Sequence, residues 1–342
     1  MTNLIAIHTN FESHWPFVAQ RCVQRWQAQG ETTLIRLARD DARTLGDVAP
    51  NPHAVTRLLC LGVPVAEQCI ERFSGLREAA FATAYGPATL SQPASEQMER
   101  RGVRRYQQRS EGFWGQSVAE FALALTLCAL RQIPQNYHAM LTSHEAWRRY
   151  GADRNQGPGT LGAQFSDDTR FTHGTIAGKR VRVIGAGNIG SRYASFVHML
   201  GADVAAWDPY APEPGFHRAG SRRVHHLPDL VKDADIFAPM LPLTEGTRGL
   251  VTAELIDALP RGCLVVLATR ALICNMEAIR QRVLADDVAL AADVFDVEPL
   301  PLDDPLLGRH NVVHTPHLAG RTRDANYQWA DDLLDQFEPV VG

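Results

Sequence analysis

The stretch KRVRVIGAGNIG, residues 179–190, decides the fold. Lys179–Ile184 reads as a strand running into a core. Gly185, Ala186, Gly187, Asn188, Ile189 and Gly190 follow at once, and SRYASFVHML (191–200) reads as a helix. A G-x-G-x-x-G set between a strand and a helix is the dinucleotide-binding fingerprint in the context that supports it. Gly185 permits the tight turn, Gly187 lets the backbone approach a pyrophosphate, and Gly190 lets helix and strand pack closely. The helix opening there offers unpaired N–H groups and a positive dipole end. The next strand, ADVAAW (202–207), ends at Asp208, eighteen residues beyond Gly190. A carboxylate there accepts hydrogen bonds from ribose hydroxyls and repels a 2′-phosphate. No arginine directly follows it, so NAD is favoured over NADP.

Outward from this motif the alternation continues. DADIFAPM (233–240), CLVVLAT (263–269) and DVALAADV (287–294) read as strands, and TAELIDAL (252–259) and NMEAIRQRVL (275–284) as helices. Upstream, LIAIHT (4–9), TLIRL (33–37), RLLCLGV (57–63) and REAAFATA (77–84) read as strands, with residues 14–28 helical. Such alternation predicts parallel α/β layers. Ser117 and Glu120 in SVAE fit a capping box that would open a helix. The FALALTLCAL that follows (121–130) is apolar on all faces, so it is expected to be buried on every side, at a domain junction or a subunit interface. Residues 151–175 are polar and rich in Gly, Ser, Asp and Asn, as befits a lid or an arm.

Composition narrows the class. The chain has 342 residues, 45% hydrophobic and 21% charged, with net charge −4. That predicts a globular protein of two domains without a general attraction for nucleic acid or anionic membrane. The arginines at 100, 101, 104, 105 and 109 are the local exception, either a solvated face or a field drawing an anionic substrate. The six cysteines form no C-x-x-C pair and read as buried free thiols in a reducing compartment. No metal is expected. MTNLIAIHTN reads as a first strand rather than a signal peptide, and Phe121–Leu130 is too short to span a bilayer, so a cytoplasmic location is expected.

Arg270 follows the strand VVLAT, Glu298 follows AADVFDV, and His317 follows NVVHTP. In an open parallel sheet, ligands sit beyond the carboxyl ends of the strands. An arginine or a histidine alone in such a place is commonly a surface or packing residue; the shared edge is what marks a site.

From about Ser117 onward, SVAE, GAGNIG, WDPY, PLTEGTRGLV, LATRAL, ADVFDVEP and TPHLAG, taken in order, give the chain its resemblance to the D-isomer-specific 2-hydroxyacid dehydrogenases. The resemblance implies an α/β protein of two doubly wound parallel-sheet domains: a flavodoxin-like substrate domain from residues 1–116 and 318–342, and a Rossmann NAD-binding domain from 117–317. It implies a homodimer acting on a small 2-oxo or 2-hydroxy acid. It assigns Arg270 to substrate binding, Glu298 and His317 to an acid/base pair, Asp208 to the ribose, and Asp293 to the neighbourhood of the nicotinamide carboxamide. Met240, Leu241, Pro242 and Thr247 on one side, and Ala268, Thr269 and Arg270 on another, match segments around the cofactor.

The chemistry of those residue types agrees. Arginine's planar fork suits a carboxylate. Hydride arriving at a ketone carbon builds charge on its oxygen, which an imidazolium can protonate, and a neighbouring carboxylate favours that imidazolium. The chain also departs from the family. Where relatives carry a Gly-rich substrate loop followed by Asp-Asn, it has Ala84, Tyr85, Gly86, Pro87, Ala88 and Thr89. Pro87 donates no N–H. Tyr85 and Gly86 remain candidates for substrate contact, and Phe113 and Trp114 either wall the pocket or pack. Ala271 and Asn275 stand where the family has Gly and Asp. Two other readings are weighed: a formate- or phosphite-type dehydrogenase, the formate form disfavoured by Glu298, and an NAD-sensing corepressor-like binding protein.

Overall fold

The computed structural model describes residues 2–339 except 67, 85, 88–89, 109–111, 145–146, 148–157 and 160–166, and omits the side chains of 86–87 and 112–113. The chain divides into two compact units, Met1–Phe113 with Arg321–Gly342, and Trp114–Gly320. The expected junctions lay at 116/117 and 317/318.

The first unit is built on β1 (Thr2–His8), β2 (Glu31–Leu37), β3 (Arg57–Leu61), β4 (Glu78–Thr83), β5 (Gly86–Pro87) and β6 (Arg104–Tyr106). β2, β1, β3, β4 and β6 lie side by side and parallel, the flavodoxin-like order, while β5 folds back antiparallel on the end of β4. The central strands carry unbroken apolar runs, LIAI in β1 and LLCL in β3, because both their faces are covered. Residues 14–28 do not form one helix. Thr9–His14 and Val18–Gln27 are separate, with Pro16 between them and Phe17 at φ 72°.

The C-terminal segment completes this unit. Helix Arg323–Leu334 packs Trp329 against Phe11 and Trp15, with ring centroids 5.8 and 5.3 Å apart. Asp331 receives Arg21 through two bonds of 2.8 Å. Beyond the helix, Glu338 meets a buried polar knot. Arg57 and Glu78 pair at 2.9 Å with both side chains almost wholly buried. Tyr106 Oη and the Glu338 N–H also donate to Glu78, at 2.8 and 3.0 Å, and Arg57 reaches the Glu338 carbonyl.

The second unit contains β7 (Arg180–Ile184), β8 (Asp203–Trp207), β9 (Arg222–Arg223), β10 (Ile236–Pro239), β11 (Leu264–Leu267), β12 (Ala289–Ala292) and β13 (Val312–His314). Their order is β13-β12-β11-β10-β7-β8-β9 with every pair parallel. The order reverses between β7 and β10, the doubly wound switch point. Alternate residues feed two cores: Val181 and Val183 face one, Ile184 and Phe237 the other. Arg182 is buried within the sheet and held by Asp233 at 2.7 Å and Asp203 at 3.0 Å.

The capping box is corrected. The helix runs Gly112–Arg131, so Ser117 is inside it and no capping box forms; Ser117 Oγ instead donates to the Ala319 carbonyl at 2.6 Å. Within one chain FALALTLCAL is buried on one face only, which leaves the subunit-interface form of the expectation standing. Ala122, Leu125, Thr126 and Leu130 are buried, whereas Ala124 and Leu127 are exposed. Helix Ile133–Thr142 adds exposed Ile133, Tyr137, Met140 and Leu141. Among the described residues no single helix is long and apolar enough to cross a membrane.

The polar knot generates a stability prediction. Arg57→Met takes away the buried cation of Glu78 and leaves it only the half-exposed Arg104 at 3.5 Å, and should cost on the order of 3 kcal/mol. Urea denaturation followed by tryptophan fluorescence checks this; an unchanged midpoint would remove the knot from the account of how the C-terminal segment is held.

Candidate active site

Because the second sheet is parallel throughout, the carboxyl ends of its strands share one edge. β7 delivers Gly185 there, β8 Asp208, β10 Met240–Pro242, β11 Ala268–Arg270, β12 Asp293 and β13 His317. Arg270 and His317 each stand three residues beyond the end of their strand, β11 and β13, with β12 between the two.

The three glycines pass three separate tests. Gly185 sits at φ 97°, and a Cβ there would meet the Met240 carbonyl oxygen at 2.7 Å. Around Gly187 the space of a Cβ is open, so a ligand's phosphates can approach the main chain. At Gly190 a Cβ would lie 2.0 Å from the Gly185 carbonyl oxygen. Helix Asn188–Met199 begins at Gly187 without a side-chain cap, so its positive dipole end faces the turn, as suits an anion. This cradle fits a dinucleotide pyrophosphate.

Asp208 is tied to the same turn. Its Oδ2 accepts from the Ala186 N–H at 2.8 Å, and its Oδ1 from the N–H groups of Tyr210 and Ala211 at 2.9 and 3.0 Å. Each carboxylate oxygen has two acceptor sites, so Oδ2 retains one for a hydroxyl. The adjoining strand brings Arg223 close: its Nη2 lies 3.5 Å from the Asp208 carbonyl oxygen and its Nη1 3.6 Å from Glu213. The linear sequence gave no hint of that neighbour, because fifteen residues separate Arg223 from Asp208.

The segments after β10 and β11 brace each other. Thr247 Oγ1 donates to the Pro242 carbonyl at 2.5 Å, fixing the turn that carries Leu241 and Pro242. Thr269 Oγ1 donates to the Pro239 carbonyl at 3.3 Å, and Ala268 is buried beside it. Arg270 is exposed. Its guanidinium donates to the Thr269 carbonyl at 2.7 Å and makes no ion pair among the described residues.

Glu298 and His317 are brought together. His317 Nδ1 lies 2.7 Å from Glu298 Oε2, and both side chains are partly open to solvent. The other carboxylate oxygen, Oε1, accepts from the Phe295 N–H at 2.7 Å, so the glutamate is fixed from behind. With Nδ1 on the carboxylate, Nε2 is the ring atom left to exchange a proton with a ligand. His317 has φ 56°, in the left-handed region where histidine is tolerated but uncommon.

Asp293 is wholly buried. Its Oδ1 accepts from Thr315 Oγ1 at 2.6 Å and the Leu318 N–H at 2.9 Å, and its Oδ2 from the Ala319 N–H at 2.8 Å.

Tyr85 lies outside the described residues, as do Arg109, Ala88, Thr89 and most of 151–166; Gly86 contributes the two-residue β5. Within the arginine group, Arg101 is spent on the carbonyls of Ile70 and Phe73, and Arg104 on Glu338. Trp114 is partly buried and packs against the core under helix Asn188–Met199. The cysteines are free. Burial pushes the thiols of Cys22, Cys263 and Cys274 up strongly, and that of Cys60 to about 12, so none of these four is poised as a nucleophile.

Comparison with known proteins agrees with this geometry. Residues 123–319 match the family model described as D-isomer specific 2-hydroxyacid dehydrogenase, NAD binding domain. D-3-phosphoglycerate dehydrogenase of Archaeoglobus fulgidus is 33% identical over 210 residues, covering 61% of this chain and 36% of that protein. The chain spans little more than a third of the length of the first curated relatives it matches. A structure of D-2-hydroxyisocaproate dehydrogenase aligns with TM-score 0.68 at 20% identity, covering 97% of this chain and 94% of that one. An NAD-complexed D-isomer specific 2-hydroxyacid dehydrogenase from Lactobacillus delbrueckii ssp. bulgaricus aligns with TM-score 0.67 at 17% identity, covering 97% and 95%. At such identities the two structures speak for the fold.

The glycine geometry yields a direct test. Gly190→Ala forces the helix away from the turn and should weaken NADH binding by at least about tenfold, or 1.4 kcal/mol. Fluorescence titration with NADH measures it; parental affinity in the variant would contradict the close approach described here.

Proposed function

The chain belongs to the D-isomer specific 2-hydroxyacid dehydrogenase family, and from that premise we propose that it is an NAD-dependent oxidoreductase interconverting a 2-oxo and a 2-hydroxy carboxylic acid. The observation that carries the proposal is the 2.7 Å contact of His317 with Glu298, at the sheet edge that also presents the glycine turn and Arg270. The bound nicotinamide supplies the hydride in reduction and accepts it in oxidation. Arg270 holds the substrate carboxylate through its planar fork and so sets the angle of the ketone. His317 gives a proton from Nε2 to the carbonyl oxygen as charge develops there, which completes the hydroxy acid; in oxidation the neutral ring takes that proton back. Glu298 keeps the ring oriented and offers the imidazolium its counter-charge. Asp208 serves the ribose hydroxyls. The first unit is assigned as the substrate domain.

We further propose a cytoplasmic homodimer. The exposed apolar face on Leu127, Ile133, Tyr137, Met140 and Leu141 is the surface assigned to the partner copy.

A panel of 2-oxo acids assayed by NADH absorbance tests the activity. His317→Ala should lower kcat by about 10²–10⁴-fold and leave NADH affinity intact. Arg270→Ala should raise KM strongly and lower kcat as well if the carboxylate fixes the ketone. Glu298→Gln should cost less than loss of the histidine. Full turnover in His317→Ala would sink the mechanism, whereas a parental chain that binds NADH and turns over none of the oxo acids would favour an NAD-sensing binding protein.

The assembly has its own check. The double substitution Tyr137→Glu and Met140→Glu should convert the dimer into a folded monomer by light scattering. A parental chain that is monomeric at micromolar concentration would refute the interface.

A further inference from the structure

The loop that carries His317 is fastened from two sides, and neither fastening is part of the proton transfer itself. On one side is Asp293, buried beyond the end of β12. Its carboxylate accepts from Thr315 Oγ1, Leu318 N–H and Ala319 N–H at 2.6, 2.9 and 2.8 Å, so it binds residues on both flanks of His317. On the other side is Ser117, in helix Gly112–Arg131, whose hydroxyl donates to the Ala319 carbonyl at 2.6 Å. Ala319 is thus held through both its N–H and its C=O. Between these anchors the main chain adopts φ 56° at His317, a conformation that needs its surroundings to hold it.

The chemistry needs such a hold. A ring 1 Å out of place can cost about 10²-fold in rate. Glu298 fixes the ring through Nδ1, but a single hydrogen bond leaves the ring free to swing about that atom; the backbone must be set separately. We propose that Asp293 and Ser117 are positioning residues that lock the Thr315–Ala319 loop and thereby fix where His317 Nε2 stands. The proposal rests on the acid/base role given above to His317. It goes beyond the assignment of Asp293 to the neighbourhood of the carboxamide, because three of the four acceptor sites of this wholly buried carboxylate are taken by the loop that carries His317.

The test uses the full chain and five variants: Asp293→Asn, Ser117→Ala, Ser117→Thr, His317→Ala, and His317→Ala combined with Asp293→Asn. An amide at 293 turns one acceptor into a donor facing the loop's N–H groups. Asp293→Asn should accelerate hydrogen exchange in the peptide covering 312–322 and lower kcat by about 10²-fold, a loss that stays when NADH is saturating. Ser117→Ala should shift both readouts the same way by less, and Ser117→Thr, which keeps a hydroxyl, should restore them. In the His317→Ala background the Asp293 substitution should cost no further rate, since it acts through the residue already removed. Unchanged kcat in Asp293→Asn, a loss appearing only as weaker NADH binding, or an undiminished further loss in the double variant would each overturn the proposal. If Asp293→Asn fails to fold, the serine pair decides. If the parental chain turns over no oxo acid, the functional reading fails by that result, and hydrogen exchange alone then decides whether the loop is locked.

Discussion

Parallel strands cannot be joined by a tight turn; each must be followed by a crossover that returns the chain to its starting edge. Everything at the candidate site depends on that constraint. In the second unit it forces the ends of β7, β8, β10, β11, β12 and β13 onto one side, although the residues they deliver span positions 185 to 317. No long-range recognition between Arg270, Glu298 and His317 is needed to assemble them. Each is placed by its own strand, and the strands are placed by burial of apolar residues on both faces of the sheet. The switch between β7 and β10 then opens the crevice where a nucleotide can lie.

Sheet-edge placement is coarse, and the finer positions come from polar groups that burial obliges to find partners. Asp208 ties the glycine turn to β8, Thr247 and Thr269 brace the segments after β10, and Asp293 gathers the loop after β13. The same rule governs structure remote from the edge. Arg182 is buried within a sheet and is tolerated because two aspartates reach it. A buried charge with a complete set of partners is a strong constraint on geometry even where its net contribution to stability is small.

What could be read from the sequence follows from how local each signal is. The glycine motif was legible because its three positions have separate steric requirements within six residues. The strand ends were legible because apolar runs announce them. The pairing of Glu298 with His317 was expected from the resemblance, and the two stand 2.7 Å apart. The start of helix Gly112–Arg131 was misread. SVAE looks like a capping box, and two glycines just before it disguise a helix already under way. The real partner of Ser117, the Ala319 carbonyl, is two hundred residues distant, and no local pattern encodes it. Arg223 beside Asp208 was missed for the same reason, since a contact across strands leaves no trace in spacing.

The return of helix Arg323–Leu334 to the first unit has a consequence for the order in which the chain can mature. As synthesis proceeds, every strand of the second unit has been made before Trp329 exists to cover Phe11 and Trp15, or Glu338 to reach Arg57 and Glu78. The earlier-made lobe is therefore the later to be finished. Until then its aromatic surface and its buried ion pair lack their cover, which is the condition in which nascent chains expose apolar surface to one another. Closing the lobe joins positions some three hundred residues apart, as Arg21 and Asp331 do. The entropic toll of closing so long a loop grows only slowly with its length, so the long separation in sequence adds little to the cost.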